Sequence, residues 1–119
     1  MKRGKGNPIP AASRRLVHER EKERCLRCGG RGYEWHHRRK RNVKDEHTHC
    51  PCNGVLLCRT CHEWAHKGEW QTRDGFRLSQ FDTTPSITPV LTWHGKVTLW
   101  CNGTYQSIER PVTFPPYPR

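Results

Sequence analysis

The chain is poor in apolar residues, and that shortage sets its first limits. Of its 119 residues 32 % are hydrophobic and its mean hydropathy is −1.02. A large core is therefore out of reach, and small folds in this position usually need a metal or disulfide staple. No apolar run approaches the roughly 20 residues that cross a bilayer, so no membrane is expected. The basic start MKRGKG has no apolar region behind it, so a secretory leader is not expected, and a reducing cytoplasm is. Acid is scarce as well: Asp and Glu number 11 against 22 Lys and Arg, for a net charge of +11. That surplus points to a polyanionic partner, nucleic acid being the usual one, although a merely soluble basic surface has the same balance. No internal repeat is present.

What the chain has instead is cysteine and histidine, seven of one and eight of the other. The odd cysteine count, two Cys-x-x-Cys pairs and the histidines favour metal over disulfides. The organising stretch is NGVLLCRTCHEWAH, from Asn53 to His66. Val55, Leu56 and Leu57 read as a short strand. Cys58 and Cys61 have the spacing that brings two thiolates to one tetrahedral zinc. From Thr60 the chain reads as a helix that Gly68 stops, with His62 and His66 at i and i+4 on one face.

Along the chain, residues 1–13 read as a disordered basic arm, rich in Gly and Pro. Ser13 is placed to cap a helix running to about Arg24, with Leu16 and Val17 its strong apolar residues and the rest a mostly solvated face. Cys25-x-x-Cys28 follows, and Gly29 and Gly30 permit the tight turn of a zinc knuckle. Tyr33, Glu34 and Trp35 read as a strand ending at His36-His37. Arg38, Arg39, Lys40 and Arg41 then line a phosphate-binding loop or form a solvated turn. Residues 42–52 are a polar loop holding His47, His49, Cys50 and Cys52, a conceivable second metal site with no visible scaffold. Beyond Gly68, Gly75–Leu78 reads as a short strand. Val90–Trp93 and Val97–Trp100 form a hairpin, Asn102-Gly103 makes a further turn, and a proline-rich tail is extended.

Four thiolates, from Cys25, Cys28, Cys58 and Cys61, close a coordination sphere, so that zinc is structural. A second ion held by His36 and His62, with His66 as a further ligand, leaves positions for water and a phosphate oxygen. His37, pointing the other way, is then free to act as general base, its ordinary pKa of ~6.5 suiting proton removal near neutrality. The pattern Cys25-x-x-Cys28, His36-His37, Asn53, Leu57-Cys58-x-x-Cys61-His62-x-x-x-His66 resembles the HNH endonucleases, and in particular the small HNH proteins encoded by tailed phages. The resemblance covers roughly residues 25–66. It implies a small α+β fold with a ββα-metal core stapled by structural zinc, a nuclease domain over 14–70, and a C-terminal extension over 71–119 carrying the hairpin.

The resemblance further implies that His36, His62 and His66 hold the catalytic divalent ion (Mg2+, Mn2+, Ni2+ or Zn2+). It makes His37 the general base and gives Asn53 the task of bracing the loop and orienting that base. The implied reaction is hydrolysis of DNA to 5′-phosphate and 3′-hydroxyl ends, in the host cytoplasm if the protein is phage-encoded. It also brings a link to genome packaging and terminase subunits. The loop HTHCPC departs from the family's more usual Gly-rich sequence. Two other readings use the same residues. A non-catalytic zinc-knuckle module that binds DNA accounts for the cysteines and charge but not for His36, His37, Asn53 and His62. His62-Glu63-Trp64-Ala65-His66 also spells the H-E-x-x-H of zinc proteases, with Glu63 as base.

Overall fold

Pro10 occupies the N-cap position of the first helix, α1 (Ala11–Glu21). The computed structural model describes residues 8–67 and 70–108. The helix begins two residues before Ser13, which lies inside it and is not its cap, and it ends at Lys22, whose left-handed backbone returns an amide to the His18 carbonyl at 2.8 Å. Its inner side is more polar than the sequence suggested. Besides Val17, it buries Arg20 and Glu21, whose side chains form a two-pronged ion pair with contacts of 3.0 and 2.6 Å. Arg20 also donates to the carbonyls of Pro51 and Gly54. The charges that looked solvated tie the helix to the middle of the chain.

Two short strands follow, β1 (Glu34–His37) and β2 (Gly54–Leu57), paired antiparallel with Trp35 opposite Leu56 and His37 opposite Gly54. Gly54 is required by close approach, because a Cβ there would lie 2.0 Å from the Trp35 ring. The chain then enters α2 (Arg59–Ala65), which contacts both strands. A short turn of helix, α3 (Trp70–Arg73), precedes an irregular segment. Gly75–Leu78, expected as a strand, is turn and bend. Gly75 has a φ of +88° and lies against the Pro89 carbonyl, so the backbone there folds against 89–90 and cannot extend. The expected hairpin is present as β3 (Val90–Thr92) and β4 (Gly95–Leu99), and the Asn102-Gly103 turn leads into β5 (Tyr105–Ser107), giving a second antiparallel sheet in the order β3-β4-β5. The proline-rich tail at 111–119, the first seven residues and Gly68 lie outside the described residues.

The architecture is thus small α+β, with two small antiparallel sheets and few helices. One apolar core joins them: Leu26, Val55, Leu57, Ala65, Phe76, Val90, Val97 and Leu99, together with Cys25 and Cys61. No helix among the described residues is long and apolar enough to cross a membrane.

Polar groups hold the rest. Arg38 is buried and its guanidinium is spent on backbone: Nε donates to the Gly75 carbonyl at 2.8 Å, Nη1 to Cys52 and Pro85, and Nη2 to Thr88 at 2.6 Å. Arg39, also buried, reaches the Asp45 carboxylate and the Asp82 carbonyl. Burial pulls the Arg38 pKa down to about 10, which still leaves it charged at neutrality. Replacing Arg38 by Met removes the donors from several buried carbonyls at once, each worth about 1–3 kcal/mol when stranded. We expect Arg38→Met to lose at least ~3 kcal/mol of stability in denaturant unfolding; a variant that unfolds at the wild-type midpoint would contradict this.

Candidate metal centre

The knuckle is built by two turns that face each other. Gly29, at a φ of +82°, lets the backbone curl back so that the Cys28 amide points at Cys25 Sγ (3.5 Å) and the Gly30 amide at Cys28 Sγ (3.4 Å). On the other side Cys58 is the N-cap of α2, its Sγ accepting from the Cys61 amide at 3.4 Å. Arg27 adds a donor to Cys61 Sγ at 3.4 Å and lays its guanidinium 3.7 Å from the Trp64 ring centroid. The sulfurs of Cys25, Cys28, Cys58 and Cys61 all fall within 4.8 Å of one another. Burial pushes the thiols of Cys25 and Cys61 up, so a cation is what allows all four to be thiolates together. The four cysteines therefore could hold a metal, and four sulfurs are a donor set that suits zinc.

A second group forms where β1 meets α2. His36, His62 and His66 offer ring nitrogens within 4.8 Å of one another, and their ring centroids stand 5.1–5.3 Å apart. The protonation of two of these rings follows from their partners. His36 Nε2 donates to the Phe76 carbonyl at 2.5 Å, and its Nδ1 is buried with no hydrogen-bond partner. His62 Nδ1 donates to Glu34 Oε1 at 2.8 Å, which leaves Nε2 with the lone pair. Each ring is thus held from behind by an oxygen while its other nitrogen is free to ligate, the usual support of a metal-bound imidazole. Burial pulls His36 down to about 3, so this ring is neutral, as a ligand must be.

Adjacent strand residues point to opposite sides, and His37 accordingly turns from His36 toward the loop, where its Nε2 lies 3.1 Å from His49 Nδ1. Burial first, then the neighbouring His49 and Arg41, pull the His37 pKa down to about 4. Asn53 is fully buried. Its Oδ1 accepts from the Arg39 amide at 2.8 Å, and its Nδ2 donates to the carbonyls of Arg39 and Thr48. It therefore braces the start of the 38–53 loop against its end. A pocket of about 700 Å³ opens over this region, lined among others by His36, His37, His62, His66, Lys40 and Arg41.

The cationic run splits, and this corrects the expectation of four phosphate contacts. Arg38 and Arg39 face inward and are consumed by backbone and Asp45, whereas Lys40 and Arg41 are exposed at the pocket. Strand alternation does not predict this split, because both arginines lie just past the end of β1, where the chain dives under the C-terminal region. The loop ligands also regroup. His47, Cys50 and Cys52 gather with Cys101 from the β4–β5 turn, and His49 is turned to His37 instead.

Glu34 was readable as a strand residue but not as a support for His62. Its i, i+2 spacing from His36 was the available signal. No family model, curated protein or solved structure matches the chain.

Two outcomes follow from the geometry. Cys58→Ser should lose tightly held metal and α2 together, by metal analysis and circular dichroism; a folded, metal-free variant would contradict the coupling. Glu34→Ala should weaken divalent-ion binding at the three histidines by about 10- to 100-fold, read by titration calorimetry; unchanged affinity would remove Glu34 from the site.

Proposed function

We propose that the chain is a metal-dependent endonuclease of the HNH type that hydrolyses DNA phosphodiester bonds. The observation that carries this reading is the buried, unpartnered Nδ1 of His36 on a ring 5.2 and 5.3 Å from those of His62 and His66, with His37 beside it on the same strand at the same basic pocket. In this reading β1, β2 and α2 are a ββα-metal core, and Cys25, Cys28, Cys58 and Cys61 hold a structural zinc. His36, His62 and His66 would hold a divalent ion, which when bound would supply positive charge for the oxygens of the attacked phosphate.

The chain's own residues do the rest. In this reading the 3.1 Å contact between His37 Nε2 and His49 Nδ1 is donated by His37, which puts the lone pair on His37 Nδ1, where it takes a proton from the attacking water. The water oxygen bonds to phosphorus, the bond to the 3′ oxygen breaks, and that oxygen takes up a proton from solvent, leaving 5′-phosphate and 3′-hydroxyl ends. When His37 becomes charged, the neutral His49 ring keeps its orientation by accepting the same hydrogen bond. Asn53 fixes the backbone immediately after His37. Lys40 and Arg41 meet the backbone phosphates, a sequence-independent attraction suited to a chain of net charge +11.

Plasmid cleavage with a panel of divalent ions tests the reading. His37→Ala should lose at least ~100-fold in rate while keeping DNA affinity, as for removal of a general base. Glu63, exposed and about 100° around the helix from His62, is the base in the protease reading; Glu63→Gln should leave most cleavage intact. Wild-type cleavage by His37→Ala, or none by any protein with any ion, would overturn the proposal, the latter leaving a DNA-binding module. Neutralising Lys40 and Arg41 together should flatten the slope of log affinity against log salt by about 1–2. An unchanged slope would take the pair off the DNA.

A further inference from the structure

We propose that His47, Cys50, Cys52 and Cys101 form a second structural metal site, of the Cys3His class that zinc occupies, which clamps the loop beside His37 to the turn between β4 and β5. The inference rests on geometry that is independent of any nuclease activity. The four ligand atoms lie within 4.8 Å of one another. His47 Nδ1 stands 3.5 Å from Cys52 Sγ and 3.9 Å from Cys101 Sγ. Nitrogen and sulfur ligands around one tetrahedral zinc are separated by roughly 3.5–3.8 Å, given metal–ligand bonds of about 2.0–2.3 Å. The first spacing matches such an edge and the second lies just beyond it. The other nitrogen of His47 lies 3.6 Å from the exposed Glu46 carboxylate, which leaves Nδ1 as the nitrogen turned to the sulfurs.

The scaffold is equally specific. Pro51 begins the tight turn Pro51–Asn53, with Cys50 as its cap and Cys52 within it, and the Cys50 amide bonds the His47 carbonyl. Three ligands are thereby presented by six consecutive residues. The fourth arrives from 54 residues beyond His47, on a turn closed by the Gly103 amide to the Trp100 carbonyl. Cysteine arithmetic also closes. Of the seven cysteines, four form the knuckle and the remaining three, 7 − 4, are Cys50, Cys52 and Cys101, so none is left over. A disulfide inside this group would use two sulfurs and strand the third beside an imidazole that already faces it.

The position says what such a clamp does. Cys52 precedes Asn53, and His49, between His47 and Cys50, is the residue in contact with His37. An ion here fixes the loop from outside, where among the described residues the helical support is a single three-residue turn.

Metal content and thiol protection test the proposal on the full chain, purified from zinc-supplied culture without chelator. In the wild type all seven thiols should resist alkylation until a chelator is added, and intact mass should show no disulfide. Cys101→Ser, altered at an exposed position, should contain one equivalent of zinc less than wild type while Cys25, Cys28, Cys58 and Cys61 stay protected. Loading the metal-free proteins with cobalt(II) should give sulfur-to-metal absorption about 7/4 as intense in the wild type as in Cys101→Ser. Alkylation of Cys50, Cys52 and Cys101 in the untreated wild type would overturn the site, as would a mass two hydrogens lower that chelator does not change. Wild-type zinc content in Cys101→Ser would also do so.

Discussion

One guanidinium sets the geometry on which the rest depends. Arg38 gathers carbonyls from Cys52, Gly75, Pro85 and Thr88 around a single buried charge, so three stretches distant in sequence share one anchor. A cation in this position has little counter-charge beside it and is held by backbone dipoles. Desolvating such a group is costly unless every donor is satisfied, and here the donors are met. Because Arg38 follows His37 directly, the anchor also fixes where β1 ends. The amide of Leu78 returns to the Arg38 carbonyl at 2.7 Å, and Phe76, two residues earlier, supplies the carbonyl behind His36. The C-terminal half thus reaches the histidines through one arginine and one backbone oxygen.

Around that anchor, directional polar contacts take the place that burial has in larger proteins. A chain that is 32 % hydrophobic has few apolar groups to remove from water, and two of its core members, Cys25 and Cys61, are also knuckle residues. Polar side chains complete the interior in the same economical way. Arg20 pairs with Glu21, Arg39 with Asp45, and Asn53 bridges its loop. Such a fold exchanges a large oily centre for a few directional contacts, each of which has to be made correctly. A single broken contact then matters more than a lost methyl group would.

Local signals in the sequence were reliable where short spacing controls geometry. Cys-x-x-Cys and the i, i+4 histidines each bring their atoms together within one turn, so the knuckle and the pair His62 and His66 were legible, as was the hairpin of Val90–Trp93 and Val97–Trp100. Reach across the chain was not. Arg38 and Arg39 look like surface cations because nothing nearby in sequence reveals that carbonyls from 75–89 will surround Arg38. Likewise Gly75–Leu78 has strand-like residues, yet its backbone is committed to the Arg38 and His36 side chains. The partnership of His49 with His37 and the arrival of Cys101 beside His47 are both products of tertiary folding. The start of α1 differs from the Ser13 expectation for a simpler reason: Pro10 is pre-set for a helix entrance without any side-chain cap.

The brevity of α2 has a consequence for the order in which the protein comes together. Seven residues are too few to hold a helix in water, since isolated helices below ~12–15 residues are marginal. What starts this one is the Cys58 sulfur that caps the Cys61 amide, and both residues belong to the knuckle. His62 and His66 acquire their one-turn separation only after that cap is in place. Assembly is therefore hierarchical. On the proposed reading a metal at the four sulfurs would come first, and only then would the three histidines exist as a set able to take a second ion.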